Sequence, residues 1–317
     1  MYRIGFDIGG TNLVCGLMDA DFNLIKKAGT PFRRRDYDPA GEGIAEDLYS
    51  LASSVCASCG VDFRDVPSVG VCIPGSVDTA RGIVIDAHNL GLHDAPFRET
   101  VSRRFGKPAE MLNDADAAAL AEQRIGALAG TENSMLVTIG TGIGVGIILG
   151  GQLFHGGRGY GVEAGHAQMD VNGESCTCGR RGCIETLCAA TWLNRRAAEL
   201  FEKAEGTVLE LYKNVSDRGK FDAKALITAA RMGERASLAV WDRYIDNLSN
   251  ALGSYINILD PQLIAIGGGV SGAGEFLLAP LNERTAKQSF FREPTPIVRA
   301  KLGNDAGLVG AAMYGNI

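Results

Sequence analysis

Three short segments concentrate glycine where backbone chemistry would need it: Gly9-Gly10-Thr11, Gly140-Thr141-Gly142 and Gly267-Gly268-Gly269. Each follows an apolar run of strand composition. A missing Cβ lets consecutive N–H groups approach an anion, and a neighbouring Thr hydroxyl adds a donor. One such tip is ordinarily a turn. Three of them, each after a strand, point to joint binding of nucleotide phosphates. Asp7 stands just before the first tip, where a carboxylate would position Mg²⁺ against phosphate oxygens; the plainer alternative is a turn-capping Asp. The Walker pattern GxxxxGK[ST] is absent, which excludes a P-loop NTPase. GxGxxG does occur, at Gly267, Gly269 and Gly272. The Pro-interrupted segment REPTPIVRA that follows does not read as the next strand of a βαβ unit, which argues against a dinucleotide-binding dehydrogenase.

A second group of residues carries polar chemistry. Asn113-Asp114-Ala115-Asp116 lies where a strand gives way to a helix. Phosphoryl transfer to a hydroxyl needs a carboxylate to orient the nucleophile and take its proton, which Asp114 could supply. The alternative is that Asp114 or Asp116 caps the helix, with Asp116 otherwise a surface residue. His166, Cys176, Cys178 and Cys183 offer one imidazole and three thiols, a set that closes a tetrahedral structural Zn²⁺ site. The CxC spacing is tighter than the usual CxxC, and Gly173, Gly179 and Gly182 would let the loop fold round an ion; the alternative is ordinary reduced thiols. Cys56 and Cys59 fall on an expected helix and read as packing residues, as do Cys15, Cys72 and Cys188. Glu163 and Glu185 flank the metal loop. With Asn89 and Asn113 they offer donors and acceptors suited to a polyhydroxylated ligand, against the alternative of exposed helix-end glutamates.

These groups need a scaffold, and the pattern is α/β. Residues 3–8 and 13–18 form a hairpin around the first tip, and 135–149 repeat that plan around the second. Helices are expected at 41–58, 96–105, 115–128, 184–204, 223–231, 237–259, 275–286 and 305–314. Further strands are expected at 66–73, 83–85, 110–112 and 263–266. The chain has 317 residues, 42 of them glycine, about twice the usual ~7%. A 46% hydrophobic and 21% charged composition is that of a soluble globular protein long enough for two domains. A net charge of -6 and a pI of about 5.4 argue against broad nucleic-acid or anionic-membrane binding. The one basic cluster, Arg33-Arg34-Arg35, sits beside Asp36 and Asp38 and reads as a solvated loop. Residues 133–157 carry no charge, but their glycine and threonine content reads as strands and turns rather than a membrane span. No signal peptide precedes the first strand, so a cytoplasmic location is expected.

Taken together these segments resemble the ROK family of bacterial sugar kinases and sugar-responsive repressors, over nearly the whole chain. DIGGTN, GTGIGVGII and IGGGVS resemble its two phosphate motifs and its adenosine-side motif. IPGSVD and HNLG resemble its sugar-side loops, NDADAAALAE its catalytic segment, and EAGH with CTCGRRGCIET its signature. The resemblance implies an actin-like, hexokinase-type (ribonuclease H-like) fold of two α/β domains with a cleft. A small domain would comprise residues 1–117 and a C-terminal helix at about 304–317; a large domain with the zinc loop would comprise 118–303. It implies an ATP:hexose 6-phosphotransferase with glucose as leading substrate, using ATP, Mg²⁺ and structural Zn²⁺, and forming a homodimer. By resemblance Asp114 is the base. Gly75, Asn89, Asn113, Asp114, Glu163, His166 and Glu185 contact the sugar, and His166 also binds zinc with the three cysteines. Asp7 helps hold Mg²⁺; Gly10, Thr11, Asn12, Thr141 and Gly142 meet the phosphates; Gly268 and Gly269 approach the adenosine. One departure stands out: Leu92 and His93 follow Asn-Leu-Gly where many family glucokinases carry a nearby Trp. Allose and N-acetylmannosamine kinases have related sugar loops. The family's repressors carry an N-terminal helix-turn-helix, for which the start of the first hairpin at Tyr2 or Arg3 leaves no room.

Overall fold

The computed structural model describes residues 1–32, 38–217 and 219–315; the Arg33-Arg34-Arg35 cluster lies outside the described residues. The strands are β1 (Arg3–Ile8), β2 (Asn12–Met18), β3 (Leu24–Pro31), β4 (Val69–Ile73), β5 (Ser76–Asp78), β6 (Ile83–Ala87), β7 (Leu92–Ala95), β8 (Ala109–Asn113), β9 (Ser134–Ile139), β10 (Ile143–Leu149), β11 (Gln152–Leu153), β12 (Leu263–Gly267) and β13 (Ile297–Arg299). The helices are α1 (Glu42–Ser58), α2 (Phe97–Phe105), α3 (Asp114–Ile125), α4 (Ile184–Cys188), α5 (Ala190–Lys203), α6 (Gly206–Val215), α7 (Ala223–Arg231), α8 (Arg235–Leu259), α9 (Glu275–Gln288) and α10 (Ala306–Tyr314). Two compact units result: Met1–Glu132 with Gly146–Val162 and Lys301–Ile317, and Asn133–Val145 with Glu163–Ala300. The expected division at residue 117 would cut α3, whereas the whole helix belongs to the first unit. There it packs against α10 through Ala117, Leu120, Ala121, Leu308, Ala311 and Ala312.

The first unit is built on a sheet in the order β3-β2-β1-β4-β8. β1, β2 and β3 are antiparallel neighbours, while β1, β4 and β8 run parallel. Strand alternation sorts its two faces. Ile4, Phe6 and Ile8 join Val69, Val71 and Ile73 in a core under α1, where Ile44, Leu48 and Val55 are buried. The intervening positions of β4, Gly70 and Cys72, face α10. A Cβ on Gly70 would lie 1.7 Å from the Ala311 carbonyl oxygen, so the close helix approach requires glycine there. A small antiparallel sheet, β5-β6-β7, follows β4.

In the second unit β9, β12 and β13 run parallel. β9 turns through the second glycine tip into β10, whose residues up to Val145 stay with this unit. The 25-residue α8 buries Trp241, Tyr244, Ile245, Leu248 and Leu252. The uncharged 133–157 stretch folds largely as β9, β10 and β11, and no described helix is long and apolar enough to cross a membrane.

Several local expectations are corrected. The segment 184–204 is two helices, because Ala189 is extended (φ -74°, ψ 159°) and the Ala190 N–H leaves the helix for the Gly140 carbonyl. Residues Ile297–Arg299, inside the Pro-interrupted segment, do pair parallel to β12, so β12-α9-β13 is a βαβ unit. Strand β13 is too short to show in composition. Strands β3, β5 and β7 and helix α6 were not anticipated either.

Candidate active site

The first unit assembles its polar residues at the carboxyl ends of the parallel strands β1, β4 and β8, the usual ligand edge of an α/β sheet. Asp7 stands near the end of β1, in register with Cys72 on β4. Burial raises its carboxyl above the ordinary range; the Cys72 thiol bonded to it opposes this, and the Asp305 charge adds to it. A half-buried carboxylate whose charge desolvation disfavours would be stabilised by a cation, as the Mg²⁺ expectation requires. The tip beyond it is closed by Gly9 N donating to Asn12 O at 2.8 Å, and Asn12 Nδ2 donates to Thr11 Oγ1 at 3.2 Å. Gly10 abuts Asn89, since a Cβ at Gly10 would lie 3.4 Å from the Asn89 Cβ. Gly75, just past β4, has φ +101°, and a Cβ there would stand 2.2 Å from the Asp86 carbonyl oxygen.

Asn113 links these pieces. Its Nδ2 donates to the Gly75 carbonyl at 2.8 Å and its Oδ1 accepts from Ala115 N at 2.8 Å. The α3 N-cap is therefore Asn113, not Asp114 or Asp116, because Asn113 is extended while Asp114 already belongs to the helix. Asp114 is exposed, and its Oδ1 also accepts from Ala115 N at 2.8 Å. A carboxylate there is favoured by the helix N-terminus. Asp116 is neither cap nor surface residue. It is 2% exposed, with Oδ2 3.5 Å from His155 Nδ1; burial raises its carboxyl and His155 opposes the rise.

The second unit carries the other two tips at the ends of β9 and β12. Gly140 N donates to Gly142 O at 3.0 Å, and Thr141 is exposed. Gly268 and Gly269 are exposed. Gly268 has φ +76°, and a Cβ there would lie 2.4 Å from the Ile139 carbonyl oxygen, so the third tip presses on the base of the second.

His166, Cys176, Cys178 and Cys183 converge: their ligand atoms all lie within 4.8 Å of one another. Cys176 Sγ is 3.5 Å from His166 Nδ1, and Cys178 Sγ is 3.6 Å from Cys183 Sγ. Zn–S bonds of ~2.3 Å at tetrahedral angles put sulfurs about 3.8 Å apart, so the donor set fits a zinc ion. Charge agrees. Burial opposes ionisation of Cys178, yet hydrogen bonds from Arg180 and from the Cys176 and Cys183 thiols outweigh it and bring it down to about 6. Burial, with the Cys178 and Cys176 thiols, pushes Cys183 up to about 12. Ionising all three thiols at this separation would need a cation to balance them. The loop is braced by Glu174, which pairs with Arg195 at 2.7 Å and Arg196 at 3.4 Å.

Glu163 is exposed and precedes the single turn Ala164–His166, whose Ala164 carbonyl accepts from the buried Tyr255 hydroxyl at 2.8 Å. Glu185 reaches both ways. Its Oε1 is 3.8 Å from Cys176 Sγ, and its Oε2 accepts from Ile143 N at 3.1 Å. The first unit thus holds Asp7, Gly10, Thr11, Asn12, Gly75, Asn89, Asn113 and Asp114. The second holds Thr141, Gly142, Glu163, His166, Glu185, Gly268, Gly269 and the cysteines. Sequence reasoning missed Cys72 as the partner of Asp7, His155 as the partner of Asp116, and Tyr255. Only strand register and long-range packing reveal these.

Paired α/β units with glycine tips at the strand ends define an actin-like, hexokinase-type protein. The sequence matches the ROK family over residues 3–315. It is 36% identical over 312 residues to a glucokinase of Thermotoga maritima, covering 98% of this chain and 95% of that protein. It is 28% identical over 315 residues to an N-acetylmannosamine kinase of Haemophilus influenzae, covering 99% and 95%. The solved structure of a ROK family glucokinase from Streptomyces griseus in complex with glucose and AMPPNP superposes with a TM-score of 0.82 at 29% identity, covering 100% of this chain and 99% of that one. The chain belongs to the ROK family.

Proposed function

We propose that the chain is an ATP-dependent hexose kinase acting on the 6-hydroxyl of a neutral hexose, with glucose as first substrate. The observation that carries this is Asp114, an exposed carboxylate at the start of α3, held through Asn113 to Gly75 on the same strand-end edge as Asp7. In this reading Asp114 accepts the proton of the sugar 6-hydroxyl as O6 bonds to the γ-phosphorus, while the bond from that phosphorus to the bridging oxygen breaks and ADP leaves. Gly75, Asn89, Asn113, Glu163, His166 and Glu185 orient the remaining hydroxyls. Gly10, Thr11, Asn12, Thr141 and Gly142 cradle phosphates, and Gly268 and Gly269 lie along the adenosine. Asp7 would hold Mg²⁺, which supplies charge neutralisation on the phosphates. Zinc on His166, Cys176, Cys178 and Cys183 would fix the loop and the imidazole. Because His166 turns Nδ1 toward the thiols, Nε2 is left for the sugar. A cytoplasmic homodimer without nucleic-acid or membrane partners completes the reading, consistent with a net charge of -6.

A second reading, allose or N-acetylmannosamine as the substrate, rests on one departure. The segment after Asn-Leu-Gly carries Leu92 and His93 in place of a nearby Trp, and His93 Nδ1 pairs across strands with Asp86 Oδ1 at 2.9 Å. The test is coupled ADP release with glucose, allose, mannose, fructose, N-acetylglucosamine and N-acetylmannosamine. Turnover with glucose highest is expected, and no ADP release with any of the six would overturn the kinase reading. Asp114→Asn is the control: kcat should fall roughly 10²–10⁴-fold with sugar binding retained. A near-wild-type kcat would remove Asp114 as the base.

A further inference from the structure

We propose that residues 185–191 form a positioning strut that fixes the 140–143 tip for the nucleotide, so that the metal centre governs nucleotide affinity as well as the shape of its own loop. This rests on the proposed assignment of that tip to ATP phosphates. Three of its backbone groups are held by the strut. The Gly140 carbonyl accepts from Ala190 N at 2.9 Å, the Thr141 carbonyl from Thr191 Oγ1 at 3.2 Å, and Ile143 N donates to Glu185 Oε2 at 3.1 Å. The strut begins two residues after the ligand Cys183, and the other Glu185 oxygen is 3.8 Å from the ligand Cys176.

Two sequence features take their meaning from this contact. A Cβ on Gly142 would stand 2.3 Å from Glu185 Oε2, so glycine is what lets the carboxylate reach the tip. The break between α4 and α5 has no Gly or Pro to cause it; it occurs where the Ala190 N–H turns to the tip. A glycine-rich tip free in solution would lose much entropy on closing round an anion, and prior fixation removes that cost from binding.

The experiment compares Thr191→Val, which deletes the hydroxyl donor at nearly constant shape, with Thr191→Ser, which keeps it. Dissociation constants for AMPPNP and for glucose are titrated on zinc-loaded protein, with zinc content checked. Thr191→Val should bind AMPPNP about 3- to 10-fold more weakly, as loss of one hydrogen bond to a carbonyl would give. Its glucose binding and zinc content should stay at wild type, and Thr191→Ser should restore nucleotide affinity. Amide exchange at Ile143, whose N–H is held by Glu185, should quicken at least tenfold when zinc is chelated. An unchanged AMPPNP constant in Thr191→Val, or unchanged exchange in the chelated chain, overturns the strut. Wild-type protein that binds no AMPPNP and releases no ADP overturns the kinase reading instead, while the exchange comparison still judges the strut.

Discussion

Asn113 performs two tasks with one amide, and separating them tests the architecture of the first unit. Its Oδ1 caps α3 at Ala115 N and its Nδ2 ties the helix start to the Gly75 carbonyl, both at 2.8 Å. Asn113→Ala removes both. A lost N-cap costs ~1 kcal/mol and a lost exposed hydrogen bond at most about another 1 kcal/mol. Asp114 Oδ1 already shares the Ala115 N–H, so the cap loss is partly offset and a total of about 1–2 kcal/mol is expected. That offset has a chemical consequence. With Asn113 gone, Asp114 is the remaining side-chain acceptor for Ala115 N, which draws its carboxylate toward the helix end and away from a substrate hydroxyl. A displaced base should lower kcat by roughly 10-fold or more. Asn113→Asp keeps the cap but turns an acceptor toward the Gly75 carbonyl, so it should lose the tie alone, about 1 kcal/mol. Urea unfolding and coupled ADP release are measured on both variants. If Asn113→Asp matches the wild type in unfolding midpoint and kcat, the tie to Gly75 positions nothing. If Asn113→Ala loses no stability, the cap assignment is wrong.

Elemental analysis of freshly purified protein should find one zinc per chain, and chelation should expose the Cys176, Cys178 and Cys183 thiols to a thiol reagent; metal-free protein with the same thiol reactivity would refute the site. Asp7→Asn should raise stability at neutral pH in the absence of nucleotide. Burial holds the Asp7 carboxyl above its unfolded value, so the folded chain keeps that proton to higher pH than the unfolded one. The stability this provides is full below the unfolded pKa and is lost as pH rises through the folded pKa. The variant should therefore gain over wild type at pH 7, converge with it in acid, and bind Mg²⁺-nucleotide more weakly. Equal midpoints for the two proteins at pH 7 would count against a half-buried Asp7 whose charge is costly.

How much was legible in the sequence follows from the range of the interaction concerned. The Cys₃His set needs only 18 consecutive residues, 166–183, to bring its donors within 4.8 Å, so the convergence of those donors could be read from the local sequence. The amphipathic period of α1 and the hairpin around Gly9 and Gly10 are equally local, and both elements form where expected. Asp116 defeated that kind of reading. Its neighbours on the sequence are alanines and a helix start, while its partner His155 is almost 40 positions away. Asp114, two residues earlier, remains exposed on the same helix, because a step of two residues turns a helix to its opposite side.

Propensity and composition by themselves determined the alternation of strands and helices, the three glycine tips, the Cys₃His cluster and the acidic carboxylate at the head of α3. These depend on backbone freedom, side-chain period and ligand spacing over at most a few turns. Tertiary structure alone decided that Cys72 would meet Asp7, since this needs the parallel register of β1 on β4. It decided that the three residues of β13 would be a strand, since β12 supplies their partners. It also broke the helix after Ala189, where the Ala190 N–H bonds the Gly140 carbonyl 50 residues earlier instead of a helical one. In each case the deciding contact joins residues that no local pattern relates, and its energy exists only once the chain has folded.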